Sequence, residues 1–180
     1  ANVTVLGGGG ITESLVSMLA PFEARVTVVR NRPAPMPGTV RVLGSTAAEV
    51  DDAISAADLV VLALALTPAT TGIIDSRRLD LMHERSVLVN VARGAHVATD
   101  DLVDALREDR IMGAGLDVTD PEPLPDTHPL WSLENCIITP HVGNTPEMAR
   151  PLLAERISTN VARWIGGDEV IGRVEPDLGY

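Results

Sequence analysis

A chain of 180 residues is long enough to bury the core of one domain. Hydrophobic residues make up 45% of it and aromatic residues only 2%, which favours an aliphatic core such as a parallel sheet covered by helices. The net charge of −11 argues against nucleic acid or an anionic membrane as partner. The single cysteine, Cys136, excludes an internal disulfide and favours a cytoplasmic location.

Apolar runs alternate with helix-like stretches along the whole sequence, and no apolar run is long enough to span a membrane. The pattern predicts strands at residues 3–6, 25–29, 40–43, 59–64, 87–90, 111–118 and 137–139. It predicts helices at 11–19, at 47–56 with Ser45 or Thr46 as cap, at 99–108 with Thr99 as cap, and from Pro146 to the Gly166–Gly167 pair. This alternation predicts an α/β fold with a doubly wound parallel sheet.

The first predicted strand runs into four glycines and then into a helix. Gly7 permits a tight turn, and Gly9 lets the backbone approach a pyrophosphate, which Gly10 and Ile11 would bind at the helix start. The third glycine of a dinucleotide fingerprint is replaced by Thr12, which leads us to expect looser packing of helix against strand. Such a turn favours a bound dinucleotide, although glycine clusters also form ordinary turns.

The second strand ends where an acidic residue would bind the adenine ribose of NAD, and it carries Arg30, Asn31 and Arg32 instead. Because arginine binds phosphate bidentately, we predict a pocket for a 2′-phosphate and therefore NADP(H) rather than NAD(H). The alternative is a solvated basic turn. We predict no metal site.

Three residues of complementary chemistry follow later strands. Arg93 could hold a carboxylate and polarise the adjoining keto oxygen. His141 could act as general acid and base, and Glu122 would accept a hydrogen bond from its imidazole and fix its tautomer. Together they could hold a 2-keto acid and give it a proton while a nicotinamide gives it a hydride. Asp117 is predicted to bind the nicotinamide carboxamide, or else to cap its strand. Each residue alone is more often structural, so the prediction rests on their joint position at strand ends.

The sequence resembles the D-isomer-specific 2-hydroxyacid dehydrogenase family, in particular its nucleotide-binding domain. The resemblance covers residues 3 to about 165, in the segments at 5–11, 66–70, 88–94, 113–118, 121–124 and 138–142. It implies a Rossmann-type fold, a NAD(P) cofactor, and catalytic roles for Arg93, Glu122 and His141. It further implies that the cofactor is contacted by Leu66, Thr67, Thr71, Val91, Ala92, Asp117 and His141. Reductases of glyoxylate or hydroxypyruvate are the nearest subgroup.

The resemblance also implies a homodimer, formed partly through residues 118–135. Family members are usually much longer, so we expect residues 1–166 to be the dinucleotide-binding domain. Residues 167–180 would then be a tail leading to a substrate domain that is largely missing from this chain. We therefore expect this chain to bind cofactor with little turnover. The open alternatives are a dinucleotide-sensing, corepressor-like protein of the same fold and a plain dimerisation module.

Overall fold

In the computed structural model, residues 1–174 are described, and their seven strands form one parallel sheet. The strands are β1 (Asn2–Leu6), β2 (Arg25–Val29), β3 (Arg41–Leu43), β4 (Leu59–Leu62), β5 (Val87–Asn90), β6 (Gly113–Leu116) and β7 (Cys136–Ile138). Their order in the sheet is β3-β2-β1-β4-β5-β6-β7. The predicted doubly wound sheet is therefore confirmed, with β4 and β6 shorter than predicted.

Five α-helices connect or follow these strands in the described part of the chain. They are α1 (Gly10–Leu19), α2 (Ala47–Ser55), α3 (Ser76–Leu79), α4 (Thr99–Arg107) and α5 (Pro146–Gly166), and short 3-10 helices lie at Ala20–Phe22, Gly94–His96 and Pro129–Ser132. The sequence pattern missed α3, because a four-residue helix is too short to show a period.

The structure decides two of the predicted helix caps. Thr46 caps α2 by accepting a hydrogen bond from the amide of Glu49, whose side chain bonds back to Thr46 in a capping box. The prediction that Thr99 caps α4 is wrong. Thr99 is the first helical residue, and its hydroxyl donates instead to the carbonyl oxygen of Asp120, 2.6 Å away. That bond ties the start of α4 to the long segment after β6.

The core alternates between the two faces of the sheet, as the two-residue period of a strand requires. Val3 and Val5 of β1 pack with Val16 of α1 on one face. Leu6 and Leu62, at the ends of β1 and β4, belong to the larger cluster on the other face. Both faces are thus covered by aliphatic side chains, which explains why a chain with so few aromatic residues can bury a parallel sheet.

The chain divides into two compact units, Ala1–Pro140 and a second that begins at His141. The second unit contains α5, which is capped at its start by Thr145 and at its end by Gly167, whose φ of 79° is left-handed. Several large apolar side chains of this helix, such as Ile157 and Trp164, are exposed. The proposed division at residue 166 remains a prediction, and residues 175–180 of the predicted tail lie outside the described residues. Within residues 1–174, no helix combines the length and apolar character needed to cross a bilayer.

Candidate dinucleotide-binding site

The strand order places a topological switch point between β1 and β4. The chain winds outward from β1 through β2 and β3, and then in the opposite direction from β4 onward. In open α/β sheets, ligands bind in the crevice that such a reversal opens at the carboxyl ends of the strands. The register pairs Leu6 with Val29 and Leu62, so these three strand ends are level with one another. The loops that follow them meet at this edge.

The glycine turn lies at this edge of the sheet, and its first residue, Gly7, has no room for a side chain. Gly7 has a φ of 118°, and a Cβ built on it would lie 2.0 Å from the carbonyl oxygen of Ala63, just after β4. Any side chain at position 7 would therefore collide with backbone. By contrast, a Cβ on Gly9 or Gly10 would have nothing within 4 Å. Glycine at those two positions leaves open space at the start of α1.

The start of α1 offers backbone donors to a ligand. Gly9 caps the helix, and no side chain bonds to the cap. Ile11 is 58% exposed in the first turn. The first amide groups of a helix lack intrahelical partners and carry partial positive charge, which suits a pyrophosphate.

The expectation that Thr12 loosens the packing of α1 is wrong. Thr12 is fully buried, and its hydroxyl donates to the carbonyl oxygen of Gly7 at 2.9 Å. The threonine thus replaces the third glycine of the fingerprint by bonding the helix to the turn. A buried hydroxyl with a partner carries little penalty, whereas one without a partner would be costly.

The basic residues after β2 lie beside the same turn. A Cβ on Gly8 would fall 2.8 Å from Cδ and 2.9 Å from Nε of Arg30, so the Arg30 side chain runs along the turn. Asn31 and Arg32 follow on the exposed surface. Because Gly8 has no side chain, the Arg30 side chain can lie directly against the glycine turn.

The loop after β4 is folded by its own threonines. The amide of Thr67 donates to the Thr70 hydroxyl at 2.8 Å, and that hydroxyl donates to the carbonyl oxygen of Ala65. Thr71 bonds back to Thr67 and lines an open cavity of about 400 Å³ together with Thr99 and Asp120 of later segments. Leu66, between the threonines and the sheet, is 41% exposed.

The loop after β5 is held by two buried polar residues that sequence reasoning did not single out. The Asn90 side chain accepts from the amide of Ala92 at 3.0 Å and donates to the carbonyl oxygen of Arg93 at 2.9 Å. His96 is fully buried, and its Nδ1 accepts from the amide of Arg93. Its Nε2 lies 3.3 Å from the carbonyl oxygen of Ala65. The same Nδ1 also lies 2.9 Å from the carbonyl oxygen of Arg93, so the tautomer of the imidazole decides which of these contacts are hydrogen bonds.

Arg93 itself is exposed, with Nη1 donating to the carbonyl oxygen of Ala92 at 2.6 Å. Val91 precedes it, partly buried at the end of the strand. The guanidinium is thus presented at the carboxyl edge of the sheet on a rigid loop. The role of Asn90 could have been predicted from the sequence, because a polar residue at the end of a buried apolar strand needs a hydrogen-bond partner. His96 has none, since nothing in its local pattern indicates burial.

Asp117 and Glu122 also lie in the first unit. Asp117 follows β6, and its Oδ1 accepts from the Thr139 hydroxyl at 2.6 Å, which joins the ends of β6 and β7. Glu122 is exposed, in a segment with cis peptide bonds before Pro121 and Pro123. That segment is anchored by the buried side chains of Leu124 and Leu130.

His141 is the first residue of the second unit. Its φ of 55° is left-handed, which is uncommon for a residue other than glycine and recurs at functional sites.

Comparison with known proteins agrees with this architecture. Residues 1–143 match the family model described as D-isomer specific 2-hydroxyacid dehydrogenase, NAD binding domain. A human glyoxylate reductase/hydroxypyruvate reductase is 33% identical over 93% of this chain and 51% of its own length. The chain spans about half the length of the curated relatives it matches.

Two solved structures share the fold closely. A D-isomer specific 2-hydroxyacid dehydrogenase from Xanthobacter autotrophicus, in complex with NADPH and MES, has a TM-score of 0.89 at 32% identity, over 99% of this chain and 72% of that one. An NADPH-dependent glyoxylate/hydroxypyruvate reductase from Sinorhizobium meliloti, in complex with NADP and sulfate, has a TM-score of 0.89 at 26% identity, over 100% of this chain and 57% of that one. The chain therefore belongs to the D-isomer specific 2-hydroxyacid dehydrogenase family, within which it corresponds to the NAD-binding domain.

Proposed function

We propose that the protein reduces a small 2-keto acid to the 2-hydroxy acid, with NADPH as hydride donor, and that this chain holds the cofactor. The observation that carries the proposal is the meeting of the glycine turn, Arg30 and Arg93 at one carboxyl edge of the sheet. The relatives named as glyoxylate and hydroxypyruvate reductases support a substrate of that size. None of the relatives described above is a corepressor.

In the proposed site the diphosphate lies on Gly9, Gly10 and Ile11, and the adenosine 2′-phosphate lies on Arg30 and its neighbours. The half-buried Arg30 and the exposed Arg32 supply positive charge in a chain whose overall charge is negative. Two structural relatives bind NADPH or NADP, which supports the phosphorylated cofactor. The nicotinamide end extends toward the loops after β4, β5 and β6, which carry Leu66, Thr67, Thr71, Val91, Ala92 and Asp117.

When bound, the nicotinamide supplies the hydride, and the side chains of the protein handle the substrate and the proton. Arg93 pairs with the substrate carboxylate and polarises the keto oxygen. His141 donates a proton to that oxygen, and Glu122 orients the imidazole. The roles of Glu122 and His141 are supported by the sequence motifs and by the family match, which extends through residue 143. The chain spans about half the length of its curated relatives, so we expect it to bind cofactor by itself with little turnover, because turnover also requires water to be excluded and the substrate to be positioned.

Isothermal titration of the chain with NADPH and with NADH tests the cofactor part of this proposal. We expect both to bind, NADPH more tightly, and Arg30→Asp to weaken NADPH much more than NADH. Equal affinities for the two cofactors before and after that substitution would overturn the 2′-phosphate assignment. The whole enzyme is then assayed with glyoxylate and hydroxypyruvate by loss of NADPH absorbance. Tight binding without turnover on any 2-keto acid would favour a sensing protein instead.

We also propose that the protein is a homodimer formed through the nucleotide-binding domain, partly through residues 118–135. In that segment Trp131 is 52% exposed, and the edge strand β7 carries Ile137, 70% exposed. Large apolar side chains gathered at an edge strand are typical of an interface. Light scattering after size exclusion should give a dimeric mass that Trp131→Ala shifts toward the monomer. A monomeric wild type over a wide concentration range would refute the dimer.

A further inference from the structure

The buried imidazole of His96 joins the loops that follow β4 and β5. Its Nδ1 lies 3.2 Å from the amide nitrogen of Arg93, in its own loop. Its Nε2 lies 3.3 Å from the carbonyl oxygen of Ala65, which is 31 residues away in the sequence. Ala65 directly precedes Leu66 and Thr67, which we place at the cofactor. One side chain therefore connects the loop of the substrate-holding arginine with a loop of the cofactor site.

Backbone hydrogen bonds already hold the segment around His96 in place. Three of them, each 2.8–2.9 Å long, run from the amides of Gly72, Ile74 and Ala98 to the carbonyl oxygens of Ala95, His96 and Ile74. An apolar side chain at position 96 would fill the buried space without requiring partners for two ring nitrogens. The polar contacts of the imidazole are made elsewhere, to Arg93 and Ala65, which points to a role in placing the loop of Arg93.

The surrounding donors and acceptors favour the imidazole tautomer with the proton on Nε2. The carbonyl oxygen of Arg93 already accepts from the side chain of Asn90 and from the backbone amide of His96, which uses both of its lone pairs. With the proton on Nε2, Nδ1 accepts from the Arg93 amide and Nε2 donates to Ala65. The opposite tautomer would leave that amide without its acceptor and turn a ring lone pair toward the oxygen of Ala65.

The backbone of Arg93 is thus fixed at both ends, by Asn90 at the carbonyl oxygen and by His96 at the amide, while its side chain is exposed. From this geometry we propose that His96 is a positioning residue, which ties Arg93 to the loop after β4 and so sets the distance between the substrate carboxylate and the nicotinamide. The inference rests on the proposed function and deepens its substrate site. Because His96 is fully buried, it acts through Arg93 and not by touching the substrate.

The test measures kcat, the KM of glyoxylate and the Kd of NADPH for the whole enzyme. His96→Leu removes both ring nitrogens and should raise KM about tenfold, since displacing a substrate-positioning group by about 1 Å can cost about 100-fold in rate. The Kd of NADPH should change by less than about twofold, because the diphosphate and the 2′-phosphate are placed on other elements. His96→Gln can bring an amide N–H near the position of Nε2 and should recover most of the wild-type KM.

His83→Leu is the matched control. The Nδ1 of His83 also accepts from a backbone amide, that of Arg85 at 3.2 Å, but His83 lies before β5, at the opposite edge of the sheet. Its replacement should leave kcat and KM unchanged. His96→Asn keeps an acceptor for the Arg93 amide but is too short to reach Ala65, so it should also raise KM. It decides the question if circular dichroism shows that the leucine variant is unfolded.

The outcomes separate this inference from the proposed function. A whole enzyme that binds NADPH but reduces no 2-keto acid overturns the proposed function and this inference with it. An active enzyme that keeps the wild-type KM in His96→Leu, or in His96→Asn where leucine does not fold, overturns the role of His96 alone. A loss of kcat in proportion to the unfolded fraction, with KM unchanged, also overturns it, because that result indicates a contribution to stability only. A rise in KM that His96→Gln does not reduce overturns the tie to Ala65.

Discussion

Gly9→Ala separates the binding role of the glycine turn from its structural role. Gly9 has φ −98° and ψ −167°, an extended conformation that alanine adopts freely, and a Cβ there meets nothing within 4 Å. Alanine is a poorer helix cap than glycine by up to about 1 kcal/mol. Alanine also lowers the conformational entropy of the unfolded chain, which stabilises the folded state by about 0.4–1 kcal/mol. We therefore expect the free energy of unfolding to change by less than about 1 kcal/mol.

Cofactor binding should respond very differently. The new methyl group would occupy the space in which we place the pyrophosphate, so we expect the Kd of NADPH to rise at least tenfold, equivalent to about 1.4 kcal/mol. Urea denaturation and isothermal titration of the same sample measure the two effects. Gly7→Ala is the contrasting variant, because its Cβ would collide with Ala63 and it should lose about 3 kcal/mol or more of stability. A folded Gly9→Ala chain with wild-type affinity for NADPH would refute the placement.

Other predictions concern stability and chemistry. Thr12→Val removes the buried bond to Gly7 and should cost about 1 kcal/mol in urea denaturation; no loss would contradict its structural role. The hydrogen bond from Arg77 lowers the pKa of Asp51 below 3.8, so its contribution to stability is complete above that pH and is lost as the pH falls through the folded pKa. The stability difference from Asp51→Asn should therefore shrink in acid, and a constant difference would refute this. In the whole enzyme, His141→Ala should lower kcat about 100-fold, and an unchanged kcat would exclude the acid–base role.

The regular elements could be predicted because each carries its own local signal. Continuous apolar runs identified all seven strands, and Pro146 and Gly167 correctly marked the ends of α5. For α4 the helix was predicted correctly but its cap was not, because the Thr99 side chain makes a tertiary contact instead. The Thr99 hydroxyl donates to the carbonyl oxygen of Asp120, which is 21 residues away, and no local sequence pattern predicts that partner.

The site residues could be predicted as chemical types but not as contacts. Arginines after β2 and β5 indicated anion binding, and the sheet places both at the carboxyl edge. The sequence could not show that Thr12 would substitute for a glycine by bonding to Gly7, or that His96 would be buried between two loops. Such arrangements depend on segments brought together only by the folded sheet.

A crystal structure of this chain grown with NADPH tests the central claim most directly. The account predicts the diphosphate on Gly9 and Gly10, the 2′-phosphate beside Arg30, and the nicotinamide ring facing a group formed by Arg93, Glu122 and His141. A dinucleotide bound elsewhere, or bound as predicted with those three side chains out of reach of one another, would contradict it.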